Sequence, residues 1–148
     1  MHRRTLLLAG ASALVGARAR AATIHDVTVY KTPWCGCCGG WVTHMRRAGF
    51  RVQVIEREDL APIRAQYGVP ADLASCHTSK VGAYALEGHV PPADVQRLLR
   101  EKPKAVGLAV PGMPLGSPGM ENPTGQRQPF QTLLLLAGGG HKVFAEHG

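Results

Sequence analysis

A mixed α/β domain, a small sheet flanked by helices, is the fold class this chain predicts. Three observations predict it. An alternating β-branched run, a cysteine-rich turn, a helix-like segment and a second alternating run follow one another within about 30 residues. Two further helix-like segments lie downstream. The chain then closes on an apolar run that doubles back at three consecutive glycines.

Each element has its own reason. "DVTVYK" (26–31) alternates and is β-branched, so it predicts a strand, broken by Thr32-Pro33. "CGGWVTHMRRA" (38–48) places Trp41, Val42 and Met45 on one helical face and ends at Gly49, although Gly39 and Gly40 weaken its first turn. "FRVQVIE" (50–56) predicts a second strand with Phe50, Val52 and Val54 inward. Strand, turn, helix and strand make a βαβ unit whose parallel strands lie side by side. "DLAPIRAQYG" (59–68) predicts a short helix closed by Gly68, "KVGAYALEGH" (80–89) a strand, and "PPADVQRLLREK" (91–102) a helix with proline in its first turn. Residues 103–129 are rich in proline and glycine, with methionines, and predict a long loop insertion too apolar for a plain linker. "FQTLLLLAGGGHKVFAEH" predicts a hairpin around 138–140.

The start of the chain has a different character. "MHRRTLLLAGASALVGARARAAT" has a basic beginning, an apolar stretch over 6–15 and small residues at Ala19 and Ala21. That is the layout of an export signal over 1–21, with cleavage after Ala21, and its apolar run is too short for a permanent membrane span. Arg3-Arg4 points to twin-arginine export, with an ordinary Sec signal as the alternative. The expected product is periplasmic, a single domain over 22–148. The whole chain carries formal charge +7, from 17 basic and 10 acidic residues. Without the four leader arginines, 13 basic residues face 10 acidic ones, about +3. No basic cluster with interleaved aromatics remains, which argues against nucleic acid as a partner.

Three of the four cysteines stand in "TPWCGCC". Their crowding makes a framework of two disulfides hard to draw, so they predict a site. Cys35 and Cys38 form a C-x-x-C at a strand-to-helix turn, behind Trp34. Backbone amides at the helix start stabilise a thiolate there, so a redox pair is one reading. Cys37 favours another, because a redox pair has no use for a third thiol between its members. Neighbouring helical residues diverge by about 100°. Thiolates fanned from one turn therefore suit sulfurs that bridge several metal ions.

Other soft donors lie downstream. Cys76 stands beside His77 in "SCHTSK", and Met113 and Met120 occupy near-duplicate Pro-Gly-Met settings. Thiolate, thioether and imidazole together are the donor set that selects Cu(I), while zinc takes no thioether. His89 in "EGHVP" is a further candidate. His44 lies nearly two helical turns past Cys38, and His141 and His147 read as surface residues.

"WCGCCGGWVTHM", "SCHTSKVGAYALEGHVP" and "GLAVPGMPLGSPGME", in that order, resemble the exported CopG-like copper-resistance proteins, long filed as a domain of unknown function. The resemblance covers nearly all of 22–148. It implies a thioredoxin-like fold, a periplasmic location and a cysteine-bound cluster of several copper ions. Carried over by position, Cys35, Cys37, Cys38 and Cys76 are the implied ligands. Met113, Met120, His77 and His89 fall inside the matching motifs. The expected function is sequestration or relay of Cu(I) in copper resistance, with a change of copper oxidation state at the cluster compatible with it. The rival is a thiol-disulfide oxidoreductase using Cys35 and Cys38. A third class is a copper chaperone docking onto a copper-efflux partner.

Overall fold

A computed structural model describes residues 23–148, so the expected export signal lies outside the described residues. The elements in order are β1 (Asp26–Lys31), α1 (Gly36–Arg47), β2 (Arg51–Glu56), α2 (Ala61–Tyr67), a 3-10 turn (Ala71–Leu73), β3 (His77–Val81), β4 (Tyr84–Glu87), α3 (Pro92–Glu101), β5 (Ala105–Ala109), β6 (Phe130–Leu136) and β7 (His141–His147). They build one mixed seven-stranded sheet in the order β2-β1-β3-β4-β5-β6-β7. Strands β1 and β2 pair in parallel as neighbours, with Val27 opposite Val52 and Val29 opposite Val54. No helix among the described residues is long and apolar enough to cross a membrane.

The two faces of the sheet are buried differently. Trp41, Val42 and Met45 from α1 and Val95 and Leu98 from α3 pack with Val27, Val29, Val81, Leu86, Leu108 and Leu134. Val69, ahead of the 3-10 turn, and Leu73, its last residue, pack with Ala85, Ala109, Leu133 and Leu135. Strand β6 thus sends Leu134 to one cluster and Leu133 and Leu135 to the other, which is the two-residue alternation of a strand covered on both sides. The wholly buried Trp41 also donates its Nε1–H to the Val90 carbonyl at 2.8 Å.

Four expectations need correction. The segment 80–89 is not one strand. β3 and β4 form an antiparallel hairpin in which Val81 faces Tyr84, and Gly82 supplies the positive φ of 55° that a two-residue turn needs. The proline-rich stretch begins with a strand, β5, that Gly107 disguises. Gly107 lies so close to the Ala85 carbonyl that any Cβ would collide with it, beside a register shift between Ala105 and Gly107. Phe50 turns inward as expected, but Val54 is exposed, because β2 is the sheet edge. His147 is no free surface residue. Its Nε2 donates to Asp94 Oδ2 at 2.9 Å, and Thr132 Oγ1 donates to the same oxygen at 2.6 Å.

Candidate metal centre

The βαβ unit delivers three cysteines to one end of α1. Cys35 is the N-cap residue, in extended conformation, and Cys37 and Cys38 lie in the first helical turn. Cys38 is fully buried, while Cys35 and Cys37 are partly open. Cys35 and Cys38 form a disulfide, whereas Cys37 and Cys76 are free thiols. Cys37 Sγ lies 3.6 Å from Cys35 Sγ and 3.9 Å from Cys76 Sγ. Cys38 Sγ stands 3.7 Å from the Cys76 carbonyl oxygen, but a disulfide sulfur has no hydrogen to donate. All four sulfurs fall within 4.8 Å of one another.

Cys76 comes from the loop before β3, and a buried ion pair fixes that loop. Glu87, wholly buried on β4, accepts from Arg64 Nε at 2.9 Å, from the Ser75 amide at 2.6 Å and from Thr78 Oγ1 at 2.6 Å. Arg64 also donates to the Ser75 carbonyl at 2.6 Å. Burial raises the Glu87 carboxyl, against the opposing pull of these donors. The backbone on the N-terminal side of Cys76 is therefore held by charge-assisted bonds at both its polar groups. The signal for this was a lone carboxylate in the apolar run "AYALEGH".

Two imidazoles lie beneath Cys76. His77 Nδ1 is 3.5 Å and His89 Nε2 2.8 Å from its sulfur. Cys76, His77 and His89 are a second group whose donor atoms lie within 4.8 Å of one another, sharing Cys76 with the four sulfurs. The rings are 5.1 Å apart, edge to face, and His77 sits 4.6 Å from the Trp41 ring. His89 Nδ1–H donates to the Pro118 carbonyl at 2.7 Å, which leaves a lone pair on Nε2 facing the thiol. The fully buried His77 has an Nε2 without a hydrogen-bond partner, a group that calls for an explanation.

Charge follows burial here. Burial, then the neighbouring His89 and Arg64, pulls His77 down to about 3. Burial also lowers His89, against the Pro118 carbonyl and Glu121. Both rings are neutral at pH 7, the form in which imidazole binds metals. Burial, then the Cys37 sulfur, pushes the Cys76 thiol up to about 12.

The sulfurs open into a cleft of about 520 Å³ whose walls include Trp34, Cys35, Cys37, Cys76, Arg64 and Met113. Trp34 is 71% and Met113 51% exposed. Met120 does not line this cleft. Its backbone instead closes a turn, with Gly116 N donating to the Met120 carbonyl at 2.8 Å. His44, on the exposed face of α1, meets Glu121. The structure therefore gathers Cys35, Cys37, Cys38, Cys76, His77 and His89, sets Met113 at the mouth, and leaves Met120 out of the cleft lining. Sequence reasoning passed over Arg64, Glu87, Pro118 and Glu121, none of which offers a soft donor.

Fold and site thus define a mixed α/β protein with a cysteine–histidine cluster suited to a metal ion. A family model described as "Protein of unknown function, DUF411" matches residues 73–120. No curated protein gives a significant match. Two solved structures do, both described as copper resistance protein copG. Form 2 is 38% identical with a TM-score of 0.80, covering 85% of this chain and 100% of its own. Form 1 is 38% identical with a TM-score of 0.79, covering 84% and 98%. The chain belongs to the CopG family of copper resistance proteins.

Proposed function

We propose that this protein binds Cu(I) in the periplasm, through a thiolate site able to hold several ions, and sequesters or relays it in copper resistance. The observation that carries the reading is the gathering of four sulfurs within 4.8 Å of one another, with two buried neutral imidazoles sharing Cys76. The donor set fits a soft monovalent ion. Thiolates and imidazoles converge, with His77 Nδ1 and His89 Nε2 both near the Cys76 sulfur, and a thioether stands at the mouth. In this reading Cys35, Cys37, Cys38 and Cys76 are ligands, with His77, His89 and Met113 completing the set and Met120 the weakest candidate. The leader over 1–21 provides export, the arrangement of thiols at the helix start is of the thioredoxin kind, and a copper-efflux or chaperone protein is the expected partner.

The disulfide sets the order of events. A sulfur bonded to sulfur is a poor ligand, so a thiol reductant must first supply two electrons and two protons to Cys35–Cys38. Each thiol then releases its proton on binding metal, most consequentially Cys76, whose burial keeps it protonated in the free protein.

The same disulfide favours a second reading, a thiol-disulfide oxidoreductase with Cys35 as nucleophile and Cys38 as resolving thiol. One paired experiment decides. Anaerobic Cu(I) titration with metal analysis after desalting is run beside insulin reduction with dithiothreitol, on wild type and Cys37→Ser. The copper reading expects more than one retained Cu(I) per chain, fewer in Cys37→Ser, and negligible insulin turnover. Robust turnover, with copper retention unchanged by Cys37→Ser, would hand the case to the oxidoreductase.

A further inference from the structure

The second Pro-Gly-Met turn contributes no sulfur to the cleft, yet it is built against the centre. Gly119, at φ +90°, approaches α1 so closely that a Cβ there would stand 2.5 Å from the Trp41 nitrogen and 2.7 Å from the Cys37 carbonyl oxygen. From the other side, a Cβ on Gly40 would come within 2.9 Å of Gly119 Cα. The turn is thus in backbone contact with the helical turn that carries Cys37 and Cys38. The residue before it, Pro118, supplies the carbonyl that takes the Nδ1–H of His89.

Several bonds shape this turn from within. Gly116 N donates to the Met120 carbonyl, Met120 N to the Ser117 carbonyl, and Ser117 N and Oγ to the Pro114 carbonyl. All of them close inside 114–120 and none reaches α1. The polar link to the helix runs through Glu121. Its Oε1 and Oε2 each accept from the Gly119 amide at 3.1 Å, and its Oε1 accepts from His44 Nε2 at 2.5 Å. One carboxylate thereby ties the tightest point of the turn to the last turn of α1. His44, placed too far along the helix to reach the sulfurs, finds its partner here.

We propose that Glu121 is a positioning residue: with His44 it clamps the 118–120 turn onto α1, so that the Pro118 carbonyl holds His89 in the Nδ1–H form with Nε2 free towards Cys76. The claim that His89 then serves as a ligand rests on the copper reading above. The chemistry turns on a single proton. With its hydrogen on Nδ1, His89 presents a lone pair 2.8 Å from Cys76 Sγ. With the hydrogen on Nε2, the ring would aim N–H at the sulfur and could not coordinate from that nitrogen. Partners that set the orientation and tautomer of a ligating histidine are generally worth a factor of about 10–100 in metal affinity.

Positioning and folding are separable here, because both clamp side chains lie at the surface and are partly solvated, at 36% exposure for His44 and 57% for Glu121. Removing them should shift the melting temperature by no more than about 2 °C. The test measures two things on wild type, Glu121→Ala, Glu121→Gln and His44→Gln. Long-range ¹H–¹⁵N spectra of the reduced, metal-free protein read the tautomer of each histidine, and competition with a chromogenic chelator reads Cu(I) affinity.

The expected wild-type spectrum has His89 wholly in the Nδ1–H form. Glu121→Ala should give a mixture of tautomers at His89, leave the His77 signals in place, and weaken Cu(I) binding about tenfold. Glu121→Gln, whose amide oxygen can still accept from Gly119, should recover most of both. A pure Nδ1–H tautomer in Glu121→Ala and His44→Gln overturns the proposal. So does a mixed tautomer with undiminished Cu(I) affinity, since His89 would then be no ligand. A mixed tautomer in a protein whose wild type binds no Cu(I) at all supports the clamp and sinks the copper reading alone.

Discussion

The two Pro-Gly-Met turns are almost the same in sequence and opposite in use. At 111–113 the methionine faces the cleft, half exposed beside Trp34 and the sulfurs, and the Gly112 carbonyl is held by Ser75 Oγ at 2.5 Å. At 118–120 the glycine is pressed against α1, the proline carbonyl orients His89, and the methionine closes the turn through its backbone. One turn presents a side chain and the other presents a backbone. A repeated tripeptide specifies a local bend, and the surface beneath it decides what the bend is for.

The largest effect should come from the glycines. Both have positive φ, 70° at Gly112 and 90° at Gly119. Gly112→Ala meets nothing within 4 Å and should cost only the left-handed backbone penalty, about 1–2 kcal/mol. Gly119→Ala adds a collision with two backbone atoms of α1 and should cost about 3 kcal/mol or more. Thermal unfolding of the two variants checks this, and equal melting temperatures would erase the distinction.

The methionines should come next. Leucine keeps the volume of either side chain at small packing cost. Met113→Leu should weaken Cu(I) retention severalfold in chelator competition, whereas Met120→Leu should leave it unchanged. A loss confined to Met120→Leu would mean that the second turn swings its sulfur into the centre on metal binding. The smallest effect is expected from Ser75→Ala, which removes the hydroxyl bond to Gly112 and should cost about 1 kcal/mol, read by denaturant unfolding.

Much of this architecture was legible in the sequence because its signals are local. The alternation of 26–31 and 51–56 and the Trp41–Met45 face needed only periodicity, and the thiol-rich turn needed only spacing. The β3–β4 hairpin turns on a single local glycine, Gly82, inside an otherwise strand-like run, and β5 was hidden by a glycine whose meaning is tertiary: Gly107 is there for Ala85, a strand away. The same holds within the site. Cys35, Cys37 and Cys38 announce themselves, and Cys76 and His89 can be suspected as soft donors. Glu121, Pro118, Arg64 and Glu87 act through hydrogen bonds to groups 23–77 positions away, which no window along the chain displays. His147 was misjudged for that reason too, since its partner Asp94 stands 53 residues earlier.

The sharing of Cys76 between the two donor groups makes the centre unequal in its redundancy. Losing Cys35, Cys37 or Cys38 leaves three sulfurs together and the Cys76–His77–His89 group whole. Losing Cys76 cuts both groups at once, leaving three sulfurs on one side and two imidazoles on the other. Each helix cysteine belongs to one group only; the loop cysteine alone belongs to both. Its backbone, in turn, depends on one buried carboxylate, Glu87, through the Ser75 amide. The two donor groups are thus hinged on a single loop residue and the acid behind it.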